Sequence, residues 1–418
     1  MAHPSIAAER LWSRLLALGQ DGALPGGGVD RQALSSTEIA ARRRIVAWAR
    51  EAGLRPATDA AGNLFVILEG TAPELPPVLA GSHIDSQPTG GLFDGAFGTL
   101  AALEAATAIA TGGLRPRRSI VVVAWMNEEG SRFAPGMMGS ALFAGARSLD
   151  EILGTEDAAG VSVAEALRTV HDDQPDLDLV PLGFPVAAFL ELHIEQGDVL
   201  ERADATIGVV SGLQGKTTAE VTITGRGAHA GTEPMPGRRD ALQAFARVAV
   251  RLGREMPVDE AVRFTIGRIE VEPNAPSVVP ALVRFRTDLR HPDDAVRARL
   301  GRTLEQVVAE EAAPCEAHIR TLVHAPSTTF DQGLAAAIRG SAARHGFPAL
   351  DLPSAAGHDA RHLAPLAPTA MIFIPCRGGL SHDPGEWAEP HHVAAGATVL
   401  LDLLIELAGP LMPFGEPR

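Results

Sequence analysis

Four short stretches of this chain gather the side chains that bind cations and move protons. The first runs from Gly81 to Gly95 and holds His83, Asp85 and Asp94. An apolar, strand-like run (Pro77 to Ala80) leads into it, and an Ala-rich helical pattern begins near Gly98. These groups therefore fall at a strand's C-terminal end and in the loop before a helix, where ligands collect in open α/β sheets. His83 can offer a neutral imidazole nitrogen to a divalent metal, and Asp85, two residues on and on the same strand face, can hold its other N–H. Gly90, Gly91 and Gly95 free the loop to fold Asp94 back towards His83. A solvated turn with an incidental histidine reads the same, so this stretch alone leaves both readings open. The second stretch, Asn127-Glu128-Glu129, follows the apolar run 119–125. Adjacent carboxylates repel, so this is either a solvated strand exit or a pair in which one acid binds metal and the other acts as a base with a raised pKa. In the third, Glu191 to Gly197, His193 lies in an apolar strand with carboxylates two residues either side. The fourth, Gly378 to Glu386, carries Ser381 and His382 in a glycine-flanked loop. Each follows a separate strand, and four such strand ends on one sheet edge are harder to obtain by accident than any one motif.

The elements that must position these groups alternate. Helices are predicted over 5–19 and 36–53, the second with Ser or Thr available as a cap at Ser35-Ser36-Thr37-Glu38. Strands follow at 64–68 and 78–82, a helix at 99–110, and a strand without polar alternation at 119–125. The stretch 148–180 reads as irregular and acidic, and 187–194 as a strand. This alternation implies an α/β domain with a mixed, mostly parallel sheet sandwiched by helices. From about residue 212 the order becomes strand 217–224, helix 239–255, strands 261–271 and 281–290, helix 293–309, strand 316–323. That β-α-β-β-α-β order is ferredoxin-like. It predicts an inserted α+β domain over 213–324, with 1–212 and 325–418 forming the first domain, which resumes with helix 331–345, strand 369–374 and helix 392–408.

Composition narrows the partners. At 418 residues two domains are the prior. Lys and Arg number 36 against 51 Asp and Glu, a net charge of −15. Nucleic acid and anionic membranes both demand basic surface, so neither is expected as a partner. The two cysteines, Cys315 and Cys376, form no disulfide framework, which fits a reducing compartment. No apolar run reads as long enough for a membrane span, and residues 1–20 read as an amphipathic surface helix rather than a signal peptide. A cytoplasmic protein is expected.

Taken together, Gly81–Gly95, Trp125–Phe133, Glu191–Gly197, Ala228–Arg239 (AHAGTEPMPGRR), Pro273–Pro280, Ser354–Ala360 (SAAGHDA) and Ser381–Glu386 resemble the hydantoinase/carbamoylase amidase family. Its members are N-carbamoyl-L-amino-acid hydrolases, allantoate amidohydrolases and β-ureidopropionases, within the aminoacylase and carboxypeptidase clan of two-metal hydrolases. The resemblance implies that His83 and His193 bind one metal, Glu129 and His382 the other, and that Asp94 bridges them. It makes Glu128 the general base and acid and Asp85 the partner of His83. Zinc suits these ligands best; manganese, cobalt or nickel also fit. By the same resemblance Gln196 binds the carbamoyl amide, Arg290 pairs with the substrate carboxylate, Asn274 and Ser277 help to hold it, and His229 approaches the oxyanion from a partner subunit. His358 is expected in the pocket without an assigned role. Two departures lie on the substrate side: Ser277 replaces a usual Asn, and Lys216-Thr217 replaces a frequent Arg-Trp pair. The implied reaction is hydrolysis of an N-carbamoyl-L-amino acid or related ureido acid to amino acid, carbon dioxide and ammonia. Deacylation of N-acyl amino acids or dipeptide cleavage is the rival, and a non-catalytic metal-binding protein the remote alternative. A homodimer through the inserted domain is expected, with Thr217–Thr224 and the helix 239–255 at an exposed edge. Hinges near 211–215 and 324–327 and a cis Asp94–Gly95 peptide complete the expectations.

Overall fold

The computed structural model describes residues 3–414. It divides into two compact units, 1–211 with 329–418, and 212–328. The first is built on a large sheet whose middle strands are β1 (Leu64–Leu68), β2 (Val78–His83), β3 (Ile120–Trp125) and β4 (Ala188–Ile194), together with a late strand, Thr369–Ile374. From Thr369–Ile374 through β4 and β2 to β3 the pairing is parallel. On either side β1 and the strand Ile207–Leu213 add antiparallel. The four parallel strands are buried along nearly their whole length. Such strands need apolar cover on both faces, which explains their unbroken Val, Ile and Leu runs.

One cover is α1 (Ala96–Thr111), of which 14 residues are buried. Another is the C-terminal helix Pro390–Ala408, which by length and composition is apolar enough to cross a membrane, where no apolar run was expected to be. Val393, Ala397, Leu400, Leu401 and Leu404 of that helix lie in the core shared with α1 and the sheet, and Asp402 and Glu406 interrupt it. At Ser35 the hydroxyl accepts the Glu38 N–H at 3.3 Å, capping the helix Ser36–Glu51. The stretch read as irregular is a correction: it contains helices Leu149–Leu153 and Val163–Asp173. Ser148 and Ser162 cap them by accepting from Glu151 and Glu165, a Ser-x-x-Glu signature that was present in the sequence.

The second unit is a four-stranded antiparallel sheet under two helices. In chain order these are β5 (Gly215–Thr224), α2 (Ala241–Glu255), β6 (Arg263–Glu272), β7 (Leu282–His291), α3 (Asp294–Glu311) and β8 (Glu316–Ala325). The strand order is β6-β7-β5-β8. Alternate residues Val283, Phe285 and Leu289 of β7 and Ala219, Val221 and Ile223 of β5 pack on Val248, Leu252, Leu300 and Leu304 of the helices. This order corrects the expectation that Thr217–Thr224 forms an edge. β5 is paired on both sides, and β6 and β8 are the edges. The unit also reaches four residues further than the sequence boundary of 324, because β8 runs on to Ala325 and the Ser327 N–H bonds Asp294 at 2.9 Å.

Candidate metal centre

The parallel strands end at one edge of the first unit's sheet, and that edge collects His83, Asp94, Glu129, His193 and His382. They form two triads that share a residue: His83, Asp94 and His193, and Asp94, Glu129 and His382. Asp94 Oδ1 lies 3.4 Å from His83 Nε2 and 3.1 Å from His193 Nε2. Asp94 Oδ2 lies 3.3 Å from His382 Nε2, which is 3.4 Å from Glu129 Oε2. One carboxylate thus faces both sets.

The hydrogen bonds behind the imidazoles fix their tautomers. His83 Nδ1 is 3.0 Å from the Asp85 carbonyl oxygen, and His193 Nδ1 is 2.9 Å from that of Ile194. A carbonyl only accepts, so each Nδ1 carries the proton and each neutral ring turns an Nε2 lone pair towards Asp94. A lone pair facing a carboxylate oxygen is favourable only with a metal cation or a second proton between them. This donor set, two neutral imidazoles and a shared carboxylate in a buried site, fits a divalent metal. Without a metal, a second proton takes that place, and the surrounding carboxylates favour it on all three rings. Burial opposes charge on His83, but Glu128, Asp85 and Asp94 outweigh it and hold its pKa well above the ordinary value. His193 is raised in spite of its burial, chiefly by Asp94. The hydrogen bond to Asp94 lifts His382 to about 8. Asp94 itself is held well below the usual carboxylate range: burial would raise it, but His193, His382 and His83 prevail.

Local sequence explains the approach. At Gly95 (φ +62°) the chain reverses in a γ-turn, with the Ala96 N–H bonded to the Asp94 carbonyl at 2.6 Å. A Cβ at Gly95 would lie 2.4 Å from the His83 ring. The Asp94–Gly95 peptide, expected to be cis, is trans; the turn aims the carboxylate without it. The Gly95 N–H also donates to His193 Nε2 at 3.1 Å.

Around the triads sit the remaining groups. The Asp85 carboxylate accepts the backbone N–H groups of both Glu128 and Glu129, each at 3.2 Å. It lies 3.6 Å from His83 Nδ1, so Asp85 orients three members of the site. Glu128 Oε2 stands 3.6 Å from His83 Nε2 and belongs to neither triad. Burial pushes Glu128 well above the ordinary carboxylate range, with His83 opposing and Asp359, Glu129 and Asp85 adding to the rise. Gln196, at φ +57°, donates through Nε2 to Asp94 Oδ2 at 2.7 Å. Its Oε1 is buried without a partner. His358 is buried beside the first triad: its ring lies 4.6 Å from that of His193, edge to face, and Nε2 meets Ser354 Oγ at 3.0 Å. It props a ligand.

Sequence reasoning gave no role to four other side chains. Gln87 donates to Glu129 Oε2 at 2.8 Å. Ser381 Oγ lies 2.8 Å from Asp94 Oδ2 and 3.0 Å from Glu386 Oε2. Glu386, buried, accepts the N–H groups of Phe93 and Asp94 at 2.8 and 3.0 Å. Burial first, and then the Asp94 charge, raise Glu386 to about 7. A Cβ at Gly91 would strike its carboxylate at 2.1 Å. Buried Asp359 accepts from the Ser140 hydroxyl. The only signal for Glu386 was its place four residues after His382.

In the second unit His229 is exposed on the short strand Ala228–His229, paired with Val278–Val279. That pairing brings Ser277 close, its carbonyl accepting the Ala230 N–H at 2.9 Å. His229 Nδ1 accepts from the Gly231 and Thr232 N–H groups at 3.1 and 3.2 Å, so Nε2 carries the proton and is a donor. Asn274 is exposed at φ +52°. Arg290 stands apart from this group on β7, its Nε 2.9 Å from Asp288 Oδ1.

The model of peptidase family M20/M25/M40 matches residues 79–406, which defines the class as a metal-dependent hydrolase. An N-carbamoyl-L-amino-acid amidohydrolase of Rhizobium meliloti is 37% identical, with 96% of this chain and 97% of the relative covered. The allantoate amidohydrolase of Escherichia coli K12 is 35% identical over 94% and 96%. The crystal structure of an amidase of the hydantoinase/carbamoylase family from Burkholderia multivorans superposes with a TM-score of 0.89 at 42% identity, covering 97% and 98%. Within the M20 class, the chain belongs to the hydantoinase/carbamoylase family of amidases.

Proposed function

We propose that this amidase hydrolyses the carbamoyl C–N bond of N-carbamoyl-L-amino acids, releasing amino acid, carbon dioxide and ammonia. The observation that carries the carbamoyl specificity is Gln196. Its amide nitrogen is committed to Asp94, since turning the amide would set two acceptors against each other. Its oxygen is left buried and unmatched beside the shared carboxylate. A terminal carbamoyl –NH2 supplies the missing donor, and an acetyl methyl does not.

His83 and His193 would hold one divalent cation and Glu129 and His382 a second, with Asp94 between them. Bound there, two such ions would polarise the carbamoyl group and lower the pKa of water towards neutrality. Zinc is favoured, with manganese, cobalt or nickel able to serve. Glu128, bound to neither set and pinned through its backbone by Asp85, takes a proton from water as the oxygen bonds to the carbamoyl carbon. It returns that proton to the amine nitrogen as the C–N bond breaks. Arg290, Asn274 and Ser277 receive the substrate carboxylate. His229 meets the oxyanion with Nε2–H, contributed by the second subunit of a homodimer formed through the inserted domain. A cytoplasmic location fits the two unpaired cysteines.

Ammonia release from N-carbamoyl-L- and D-amino acids, N-carbamoyl-β-alanine and allantoate, set against deacylation of N-acetyl amino acids, tests the reading. Turnover of the L-carbamoyl compounds is expected, reduced about 100-fold in Gln196→Leu. Activity confined to N-acetyl substrates overturns it. The subunit exchange has its own test. Mixing inactive His229→Ala with inactive Glu128→Gln should restore turnover, because one site of each mixed dimer regains both groups. A mixture that stays silent while mixed dimers form places His229 in its own subunit's site or outside catalysis.

A further inference from the structure

Glu128 owes its place to the turn that follows β3, and that turn is fastened from behind by two side chains outside both triads. Residues 126–139 form a closed loop: the carbonyls of Met126, Asn127 and Glu128 accept the N–H groups of Gly139, Met138 and Met137 at 2.9, 3.3 and 2.8 Å. Within it Asn127 takes a left-handed φ of +54° and donates through Nδ2 to the Phe133 carbonyl at 2.8 Å. A Cβ at Gly136 would lie 2.1 Å from the Glu128 carbonyl oxygen, so the two arms are in backbone contact.

Asn63 joins the arms a second time. It is fully buried and stands just before β1, whose Leu64 pairs with Ala124 of β3. Its Oδ1 accepts the Met126 N–H at 2.9 Å, and its Nδ2 donates to the Gly139 carbonyl at 3.3 Å and to Asp59 Oδ2 at 2.8 Å. A Cβ at Gly139 would lie 2.0 Å from Asn63 Oδ1. Asp59, also fully buried, accepts the Ala61 and Asn63 N–H groups through Oδ1 at 2.9 and 3.0 Å. Burial raises its carboxyl to about 6 against these opposing hydrogen bonds, so at neutral pH it is ionised and can only accept. The Asn63 amide is thereby held one way round, nitrogen to Asp59 and oxygen to Met126. Apolar contacts would hold a loop without burying a carboxylate. An amide gripped by a charge does more, because it specifies one position for the Met126 N–H.

That position matters because Glu128 is close to being a ligand. Its Oε2 is 3.6 Å from His83 Nε2, against 3.4 Å for Asp94 Oδ1. A slack turn would let Glu128 be drawn onto a cation held by His83, and a carboxylate bound to a cation is a poorer base. From this geometry we infer that Asn63, held by Asp59, is a positioning residue: it sets the turn at Met126 so that Glu128 stands beside the cation ligands without joining them. The inference rests on the reading of Glu128 as the base.

An exchange of the two side chains tests it. Asp59→Asn keeps the shape but turns a donor on the Asn63 amide, which must then reverse and set its NH2 against the Met126 N–H. The double variant Asp59→Asn, Asn63→Asp restores the pattern, since position 63 then accepts from position 59 on one side and from Met126 on the other. Only the bond to the Gly139 carbonyl is lost. In the full-length, metal-loaded protein kcat on N-carbamoyl-L-amino acids should fall about 100-fold in Asp59→Asn with KM little changed, and recover at least about tenfold in the double variant. Asn63→Ala, which leaves the Met126 N–H unmatched, should behave as Asp59→Asn does and stands in for it if that variant does not fold. Hydrogen exchange of the metal-free protein, read by mass spectrometry over 126–139, should be faster in either single variant and slow again in the double one. Unchanged exchange there, a kcat loss that the double variant does not recover, or a lower thermal midpoint with kcat intact overturns the inference. If the unaltered protein hydrolyses no carbamoyl compound, the reaction reading falls alone, and exchange that follows the pair still supports the fastening of the turn.

Discussion

The candidate metal edge of the first unit and the residues proposed to meet substrate in the second are built on opposite plans. His83, Asp94 and His193 are each at most 6% exposed. Each is held by several partners drawn from strands, turns and a loop near the C-terminus. His229, Asn274 and Ser277 are exposed on a two-strand ribbon and its turn. In the buried cluster a changed side chain leaves lone pairs or charges unmatched, which is costly. On the exposed ribbon a changed side chain such as that of Ser277 leaves little buried structure unmatched. On the proposed reading, reaction class and substrate choice would depend on residues with different tolerance for change.

The largest effect that can break this contrast is at Glu128. Replacing it with Gln should lower kcat by about 10²–10⁴, while the thermal midpoint holds or rises, because Gln avoids the cost of burying an ionisable acid that Asp359, Glu129 and Asp85 crowd. Retained turnover, or unfolding, would mean the edge is a structural ion cluster. Metal loading should come next in size. His382 is raised to about 8 and must be neutral to bind a cation, so below pH 8 protons compete. Apparent affinity should fall about tenfold per pH unit there from this ligand alone. The metal-free protein should show the opposite sign. A histidine with a raised pKa contributes stability that is complete below about 6.5 and is lost as pH rises through 8. Calorimetric titration from pH 6 to 9, with melting curves of the chelated protein, checks both signs. The smallest effect contrasts the two thiols. Burial lifts Cys376, in the catalytic unit, to about 12, and it should stay unmodified by iodoacetamide at pH 8. Cys315, half-buried in the second unit, should label first. Mass spectrometry of both peptides decides, and early labelling of Cys376 would show that the catalytic unit opens readily.

Much of this was legible from the sequence because the site recruits residues at strand ends, and strands betray themselves by apolar runs. His83, Glu128, Glu129 and His193 could be placed that way, and His382 by its glycine-flanked loop. The roles of Gln87, Ser381, Glu386 and Asp359 were not legible. Each acts through a partner distant in sequence or in another strand's loop, and a carboxylate that grips backbone N–H groups looks in sequence like any surface acid. The helices within 148–180 were readable from their Ser-x-x-Glu caps but were obscured by exposed, acidic neighbours. The position of β5 inside its sheet was not readable at all. Its alternation is that of any half-covered strand, and pairing order depends on contacts about a hundred residues away.

Glu386 ties residues 93 and 94 to the last tenth of the chain. During synthesis the ribosome must deliver nearly the whole polypeptide before the bridging carboxylate is locked in place, whereas 212–328 is contiguous and can fold as soon as it emerges. A truncated product would therefore carry a finished substrate-side domain and an unfinished cation cage, so an incomplete copy has no assembled hydrolytic centre.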